Sequence, residues 1–371
     1  MSSVQEYTFT VRAASPTSVG WYEPNLTDKR FYLRPTSLKG VWRWWARAVV
    51  AGVLYDAGQL NCNEDGRCRM DNKEIGSILG ELGLGAGGER AVASKLKIEV
   101  EILKRPKDCK YEDKTKIPPF FIRGFIGGEF KIKLRGYYVS QGQDVLPAVK
   151  LFLLATTLGG VGKGSRRGRG SLDVMNTNLK IGGDIVELLD DIRNNIAKFL
   201  NVNPKGGQHD LAPVTLISKS NTEIYRIKCN DCADHHSCYK PCLIAIRNFF
   251  VTTERREKIG RDPLRDKTND WILGLPRKEY KDSKRSKRPS RRPSPFILSY
   301  HEKHIIGDKD PHMYLTVIKS RDWPKELEWS EGSGSNILID DNTLRDAYRS
   351  AIDAFNDYVS KLGYKVKRIW P

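Results

Sequence analysis

The order of its periodic segments limits the folds open to this chain more than any other feature of the sequence. In the first half, apolar and polar residues alternate at every second position in some segments, as in strands, and recur at helical spacing in others. The resulting β-α-β-β-α-β order predicts a ferredoxin-like domain, in which two helices cover one face of a sheet and the other face stays open. The predicted elements are a strand over Tyr7–Ala13, a helix over Ser37–Tyr55 capped by Ser37, strands over Leu96–Ile102 and Phe130–Arg135, a helix over Pro147–Leu158 and a strand over Leu172–Asn178.

The second half is less regular, but its pattern allows a second domain of the same kind. The sequence therefore predicts an α+β protein with two ferredoxin-like (RRM-like, βαββαβ) domains in tandem, over residues 1–180 and 181–371. The predicted elements of the second half are helices over Ile185–Leu200 and Asn342–Leu362, and strands over Glu223–Lys228, Leu243–Val251, Phe296–Tyr300, Met313–Lys319 and Tyr364–Ile369.

The net charge restricts the classes of partner. The 371 residues include 63 Lys and Arg against 45 Asp and Glu, so the formal net charge is +18. This charge exceeds what solubility requires and favours a large polyanion as partner, the alternative being a surface that is basic only for solubility. The longest apolar stretch, Ala48–Tyr55, is far too short to span a membrane, and no secretion signal begins the chain. We therefore expect a soluble, cytoplasmic protein without a membrane partner.

The most unusual segment is a glycine-rich loop, GGVGKGSRRGRG, over Gly159–Gly170. Six of its twelve residues are glycine, and four are the basic residues Lys163, Arg166, Arg167 and Arg169. Glycines let backbone N–H groups approach a phosphate chain, and guanidinium groups bind its oxygens. The loop follows a helix and has no Ser or Thr after Lys163, so it is not a Walker A motif. It is a candidate RNA-binding loop, and the alternative is a flexible basic linker.

A second basic group lies on the first predicted helix. Its members are Arg34, Lys39, Arg43 and Arg47. The last three recur at every fourth position and share one face of the helix, which is either an RNA contact or a solvated face. The pattern places Trp42 and Trp45 in the core, whereas Trp44 lies between the two faces and can stack on a base.

Basic residues also alternate along the third strand. Lys131, Lys133 and Arg135 share one of its faces. They either present charge to RNA on the open sheet or pair with Glu99 and Glu101 of the neighbouring strand.

The segment Arg277–Arg292 has nine basic residues, interrupted by Ser and Pro. Such a composition predicts a mobile loop that becomes ordered on a partner. Its candidate RNA contacts are Arg277, Arg291 and Arg292.

Four cysteines form a cluster with the spacing C-x2-C-x5-C-x3-C, in a loop inserted in the second predicted domain. They are Cys229, Cys232, Cys238 and Cys242. Four thiolates at short spacing can hold a structural zinc ion; disulfides and free thiols are the open alternatives.

Catalysis has little support in the sequence. No His precedes His209, and none of the common hydrolase motifs occurs. The later residues His301, His304 and His312 are expected to pack in the core or face solvent. These observations favour a protein that is not an enzyme.

Four motifs occur in an order that resembles a known family. They are RPTSLKGVWRWWARA from Arg34, GGVGKGSRRGRGSL from Gly159, WILGLPR over Trp271–Arg277 and RRPSPF over Arg291–Phe296. Together they resemble the RAMP superfamily of CRISPR-associated proteins and, more narrowly, the family of first subunits of the type III-B (Cmr) effector complexes. The cysteine cluster and the basic segment are not part of this resemblance.

The resemblance implies two packed ferredoxin-like domains and a non-catalytic subunit of a ribonucleoprotein for antiviral defence. Such a subunit engages guide RNA and target RNA near the guide 3′ end and contacts other RAMP subunits, while target cleavage belongs to different subunits. The alternative is a RAMP-type endoribonuclease that processes CRISPR guide precursors. The lack of His in the first 208 residues argues against that alternative.

Overall fold

The structure is a computed structural model, and it describes most of the chain. The described ranges are 5–19, 29–30, 32–60, 73–85, 93–113, 120–137, 145–204, 210–230, 237–275, 280–282, 292–307, 310–329 and 336–371. The elements of the N-terminal half are β1 (Glu6–Thr17), α1 (Pro35–Asp56), α2 (Lys73–Glu81), β2 (Leu96–Lys104), β3 (Lys107–Asp113), β4 (Phe120–Gly136), α3 (Leu146–Leu158), β5 (Leu172–Thr177) and α4 (Ile185–Leu200). Those of the C-terminal half are β6 (Thr222–Lys228), α5 (Pro241–Arg247), α6 (Thr252–Ile259), α7 (Pro263–Asp266), β7 (Tyr280–Asp282), β8 (Phe296–His301), β9 (His312–Ile318), β10 (Glu326–Trp329), β11 (Asn336–Leu338), α8 (Asp341–Lys361) and β12 (Lys365–Trp370).

The N-terminal half is built on an antiparallel sheet in the order β2-β4-β1-β5, with β3 paired to the far end of β4. The predicted strands and helices of this half are confirmed, and α2 and β3 are additions to them. Alternating residues of β1 explain its place at the centre, because Phe9, Val11 and Ala13 are fully buried. Helices α1 and α3 pack against each other above the sheet.

The C-terminal half repeats this connectivity. Its main antiparallel sheet has the order β12-β6-β9-β8, with α5 to α7 between β6 and β8 and α8 between β9 and β12. In both halves the first strand is therefore flanked by the third and the last. A small additional sheet has the order β11-β10-β7. The protein is thus a mixed α+β structure with antiparallel sheets.

The two halves share a core. On β8, Phe296 and Leu298 pack with α8 residues in a C-terminal core, while Ile297 between them belongs to the N-terminal core. Successive strand residues point to opposite faces, so the C-terminal sheet is covered by α8 on one face and by the N-terminal half on the other. Helix α4 contacts α1 and α3 in the N-terminal core. The predicted division at residues 180 and 181 stays a prediction.

The predicted strand over Leu243–Val251 is wrong. This segment forms α5 and a 3-10 turn over Asn248–Phe250. Pro241 lies in the first turn of α5, where its fixed φ angle suits a helix start. The buried residues Leu243 and Ile246 then follow at helical spacing.

The predicted cap of the first helix is also wrong. Helix α1 begins at Pro35, two residues before Ser37, and Arg34 precedes it without a capping hydrogen bond from its side chain. Pro35 has no N–H group to satisfy, so the helix can begin without a side-chain cap at this point.

Among the helices that the structure describes, none is both long enough and apolar enough to span a membrane.

A buried network of charged side chains joins the two halves. Arg12 on β1 lies 3.0 Å from Asp173 on β5 and 3.3 Å from Glu302, which directly follows β8 (Nη2 to carboxylate oxygen in both cases). Lys240 forms a second ion pair with Glu302. Asp173 also accepts hydrogen bonds from the backbone N–H groups of Glu302 and Lys303. All four ionic side chains are at least nine-tenths buried, so each depends on its partners.

His301 completes this network. Its Nδ1 atom lies 3.1 Å from the Asp173 carboxylate, and its Nε2 atom lies 2.7 Å from the Thr157 carbonyl. Both of its ring nitrogens thus face oxygen atoms that accept hydrogen bonds. Burial by itself would raise the pKa of Asp173, but the hydrogen bond and charge of His301, together with the charge of Arg12, outweigh it and lower that pKa.

We expect Asp173→Asn to lower the free energy of unfolding at pH 7 by about 3–5 kcal/mol, because it leaves the buried Arg12 with only Glu302, which Lys240 shares, and removes the carboxylate beside His301. Urea denaturation of the two proteins measures this difference. Asp108→Asn, which removes one partner of the exposed Lys29–Asp108 pair, serves as the control and should change little.

The same comparison has a defined pH dependence. A carboxyl whose pKa is lowered in the folded state stabilises it above the pKa of the unfolded chain, about 3.9, and loses this contribution as pH falls further. The difference between wild type and Asp173→Asn should therefore shrink below about pH 4. A difference that grows on acidification would contradict the charge assignment.

Candidate nucleic-acid interface

The glycine-rich loop, Gly159–Gly170, is fixed between the two halves by backbone hydrogen bonds. On the N-terminal side, the Lys163 N–H donates to the Ser18 carbonyl at 2.9 Å and the Gly170 N–H donates to the Pro16 carbonyl at 3.1 Å. On the C-terminal side, Leu298 of β8 exchanges two hydrogen bonds with the loop, at 2.9 and 3.1 Å. The loop therefore extends the edge of the C-terminal sheet, and it is not a free linker in this structure.

Close packing explains two of its glycines. At Gly168, with φ +74°, an added Cβ would lie 2.4 Å from a Leu243 methyl group, and at Gly170, with φ +67°, it would lie 1.9 Å from the Val161 carbonyl oxygen. Positive φ and this lack of space both require glycine. From the sequence, the glycines are expected to let a phosphate chain come close to the backbone. In the structure, Gly168 and Gly170 instead let other parts of the protein pack closely against the loop.

The four basic residues of the loop differ in exposure. Lys163 and Arg167 are exposed, and Arg167 lies over the ring of Phe250, 5.3 Å from its centroid. Arg169 is buried.

Arg166 is half-buried and links three elements. It donates to the Ser294 carbonyl at 2.8 Å and lies 4.9 Å from the ring centroid of Trp44. Burial, with a smaller effect of the nearby charge of Arg292, lowers the pKa of Arg166 to about 10, so it remains a cation at neutral pH.

The basic face of α1 is partly exposed. Arg34, Lys39, Arg43 and Arg47 are all half-buried. Arg43 donates to the Gly85 carbonyl at 3.1 Å. Burial, and then the charge of Arg43, lowers the pKa of Lys39, which indicates that the stripe concentrates positive charge.

The tryptophans of α1 divide as predicted. Trp42 and Trp45 are buried in the core, and the Trp42 indole donates to the Ala148 carbonyl at 2.8 Å. Trp44 is half-buried, packs edge-on against Trp45 at 5.3 Å, and is covered on one side by Arg166. One face of Trp44 is therefore already taken by a guanidinium group.

Trp44 of α1 and Arg166 of the glycine-rich loop meet in a cleft of about 220 Å³, here called the α1–loop cleft. Its walls come from α1, from the glycine-rich loop and from β8, through Val41, Trp44, Gly159, Ser165, Arg166 and Ile297. The structure thus brings Trp44 of α1 and Arg166 of the loop together at one place, although they are more than one hundred residues apart in the chain. The basic residues of α1 do not line this cleft.

The basic segment Arg277–Arg292 contributes differently. Arg277 and Arg291 lie outside the described residues. Arg292 is buried, binds Asp322 and Ser320 at 2.8 Å each, and lies 5.0 Å from the ring centroid of Trp323. Its guanidinium group therefore holds the C-terminal core together, which corrects its assignment as a surface contact for RNA.

Two of the three basic residues of the third predicted strand, now β4, are paired, Lys133 and Arg135. Lys133 lies 3.3 Å from Glu101, and Arg135 lies 3.0 Å from Glu99 and 2.5 Å from Glu6. Of the two alternatives left open for Lys133 and Arg135, the structure shows pairing within the sheet.

The cysteine cluster does not present four thiolates. Cys229 is bonded to Cys242, and Cys238 is bonded to Cys109, whereas Cys232 lies outside the described residues. Zinc is bound by thiolates, so these disulfide sulfurs are not available to it. The disulfide alternative is the one that the structure shows, and we do not propose a zinc ion.

Sequence reasoning missed the cluster of Asp173, His301 and His304, whose candidate ligand atoms lie within 4.8 Å of one another. His304 accepts from the Val174 N–H at 2.9 Å through Nδ1, so Nε2 carries its proton towards Thr157. Burial, and then the charge of His301, lowers the pKa of His304, which is consistent with a neutral ring. These ring nitrogens are committed to protein partners, and the cluster is structural. His301 and His304 are three residues apart in the sequence, but Asp173 lies on β5 and only the fold brings it to them.

Comparison with known proteins supports this reading of the fold. Residues 10–173 match the model of the RAMP superfamily, so the expected resemblance is confirmed. Among solved structures, the crystal structure of Cmr1 from Pyrococcus furiosus in its apo form covers 99% of this chain and 99% of its own, at 18% identity and a TM-score of 0.51. This similarity shows that the fold is shared.

Two other solved structures are less similar. A subunit in the cryo-EM structure of the type III-B Cmr-beta complex, bound to cognate target RNA and AMPPnP, matches 94% of this chain and 99% of its own, at 14% identity and a TM-score of 0.49. Cmr6 from Pyrococcus furiosus matches 46% of this chain and 99% of its own, at 17% identity and a TM-score of 0.23. No curated protein matches the chain by sequence.

The tight loop makes a prediction about stability. We expect Gly170→Ala to lower the free energy of unfolding by about 2–5 kcal/mol, because a left-handed alanine and a clash with the Val161 carbonyl act together. Gly260→Ala is the matched control: Gly260 also has a positive φ, +83°, but nothing lies within 4 Å of its added Cβ. Its cost should be only about 1–2 kcal/mol. Equal losses in thermal or urea unfolding would refute the close approach.

Proposed function

We propose that this protein is a non-catalytic, RNA-binding subunit of a type III-B CRISPR effector complex. In this role it engages guide RNA and target RNA near the guide 3′ end, beside other RAMP subunits, in antiviral defence. The observation that carries the proposal is the α1–loop cleft, which is lined by Trp44 and by Arg166 of the glycine-rich loop. The same loop exposes Lys163 and Arg167. The RAMP superfamily match and the fold shared with Cmr1 support it.

The cleft suits a nucleic-acid backbone. Guanidinium and ammonium groups bind phosphate oxygens with charge-assisted hydrogen bonds, and a stacked Trp–Arg pair offers a flat surface beside which a base can lie. Contacts of this kind neutralise phosphates and do not read base edges. The proposed ligand is therefore single-stranded or guide-paired RNA, bound through its backbone.

The proposal includes the fold. We assign both halves to the ferredoxin-like class, because each has the β-α-β-β-α-β order with the first strand between the third and the last. The α1–loop cleft then lies where the two domains meet, and an RNA strand bound there would contact both.

The lack of catalysis is also a proposal, and the buried histidines support it. His301 and His312 have no exposed surface, and His304 has 4%. A general base must reach the proton that it removes, and these rings contact protein groups in the interior. Metal-independent RNA cleavage by these residues is therefore not expected.

The charges of the loop should determine affinity for RNA. We expect Lys163→Ala combined with Arg167→Ala to weaken binding of a single-stranded RNA roughly 10- to 30-fold at 0.1 M salt, because two phosphate contacts are lost. The slope of log affinity against log salt should become shallower by about 1.4. Fluorescence anisotropy over a salt series measures both quantities.

A matched control removes the same charge elsewhere. Lys258 and Lys267 are exposed on the surface around α6 and α7, so Lys258→Ala with Lys267→Ala should leave the affinity and the slope close to wild type. If both double variants lose affinity equally, the binding is a property of net charge and the α1–loop cleft is not the site.

Membership of the complex is tested on protein purified from its native cell. We expect short guide RNAs and other RAMP subunits to co-purify, and repeat RNA incubated with the isolated subunit to remain intact on a denaturing gel. Purification of the chain alone would contradict the complex. Defined cleavage of the repeat RNA that depends on this protein would favour the endoribonuclease alternative.

A further inference from the structure

A disulfide bond joins the two halves of the molecule. Cys109 on β3 is bonded to Cys238, which lies three residues before α5, so the bond links chain positions that are 129 residues apart. The disulfide between Cys229 and Cys242 closes a separation of only 13 residues, and both of its ends lie in the C-terminal half. Of these two disulfides, only the Cys109–Cys238 disulfide can hold the two halves to each other.

The N-terminal end of this disulfide lies near one attachment of the glycine-rich loop. Cys109 is paired with Gly124 of β4, and an added Cβ at Gly124 would lie 2.5 Å from the carbonyl oxygen of Thr17 at the end of β1. On either side of Thr17, the Pro16 and Ser18 carbonyls accept hydrogen bonds from the loop. One strand, β4, therefore separates Cys109 from the backbone that holds the loop on this side.

The C-terminal end of the disulfide lies near a second support of the loop. Leu243 of α5 packs so closely on the loop that an added Cβ at Gly168 would lie 2.4 Å from its methyl group. Cys238 and Leu243 line one small cavity of about 20 Å³ together with Pro16. The Cys109–Cys238 disulfide thus connects the two supports between which the glycine-rich loop is held.

The two disulfides differ in their access to solvent. Cys109 has 3% of its surface exposed, and Cys229 and Cys242 have 2% and 1%. Cys238 is only half-buried, so one end of the Cys109–Cys238 disulfide is open to a reagent in solution. A disulfide is broken when a thiolate attacks one of its sulfur atoms, and the rate depends on access to that sulfur. A thiol reagent can therefore reach this disulfide at Cys238, whereas the Cys229–Cys242 disulfide is enclosed.

We propose that the Cys109–Cys238 disulfide is a redox-sensitive link that holds the glycine-rich loop in place, and that a dithiol reductant opens it. A thiolate of the reductant attacks the Cys238 sulfur and forms a mixed disulfide, and Cys109 is released. The second thiolate of the reductant then displaces Cys238. Each protein sulfur takes up a proton that the reductant has lost, so the protein gains two electrons and the reductant becomes a cyclic disulfide.

Opening of this link loosens one wall of the α1–loop cleft, which contains Arg166 of the loop. Redox control of RNA binding in this cleft rests on the proposed function. Control of the loop itself does not, because its attachment can be measured without RNA.

Mass spectrometry of the full-length protein tests the bond, and hydrogen–deuterium exchange tests its effect on the loop. The protein is compared after treatment with oxidised glutathione and after treatment with dithiothreitol. We expect a peptide that joins Cys109 to Cys238 in the oxidised protein only. The amides of Gly159–Gly170 should exchange at least about fivefold faster in the reduced protein, because the loop opens more readily. Amides of α4, which packs on α1 and α3, serve as the internal reference and should exchange equally.

Two single variants separate the two disulfides. In Cys109→Ala, the loop should exchange as fast as in the reduced wild type under both treatments. Cys229→Ala breaks the other disulfide and is the matched control, so its loop should still respond to dithiothreitol. The comparison of oxidised and reduced wild type needs no substitution and remains decisive if a variant fails to fold.

Three results would overturn the redox-sensitive link. They are a free Cys109 thiol after oxidation, equal exchange of the loop in oxidised and reduced wild type, and loss of the response in Cys229→Ala as in Cys109→Ala. Affinity for single-stranded RNA is measured on the same samples. A loop that responds to dithiothreitol without any change in RNA affinity would contradict the proposed RNA cleft and leave the redox-sensitive link intact.

Discussion

The ion pair of Asp173 with Arg12 and His301 determines where the two halves of the molecule meet. It holds the end of β8 against β1 and β5, in a place where each charge is buried. Because β8 is fixed there, Leu298 can pair with the glycine-rich loop and Ser294 can accept the hydrogen bond from Arg166. The α1–loop cleft thus depends on electrostatics deep in the interior. Buried ion pairs of this kind hold the elements that they join in fixed positions, but they add little net stability, because desolvation offsets much of their attraction.

The local sequence pattern predicts much of the fold, but it does not predict which side chains contact one another. Alternation located β1 because Phe9 and Val11 face the core, and that signal is local. It failed over Leu243–Val251 because a short apolar run suits a strand or a buried helix equally, and only Pro241 indicated the helix. The role of a basic residue is also ambiguous in the sequence. Arg167 and Arg292 are both arginines in basic segments, yet Arg167 is exposed and Arg292 is buried against Asp322. The sequence shows His301 and His304 three residues apart, but only the tertiary fold brings Asp173 to them.

The chemistry of the α1–loop cleft also bears on specificity. Its guanidinium group, that of Arg166, is of a kind that can pair with a guanine edge, but it already donates to the Ser294 carbonyl and lies over the Trp44 ring. We therefore expect the cleft to contact phosphates and base faces and not base edges. A subunit with such a cleft would bind any strand with comparable affinity, so it cannot select a target alone. In an RNA-guided complex it does not need to, because base pairing between guide and target reads the sequence. The proposed function therefore requires a cleft of this kind: one that recognises charge and stacking, and is indifferent to sequence.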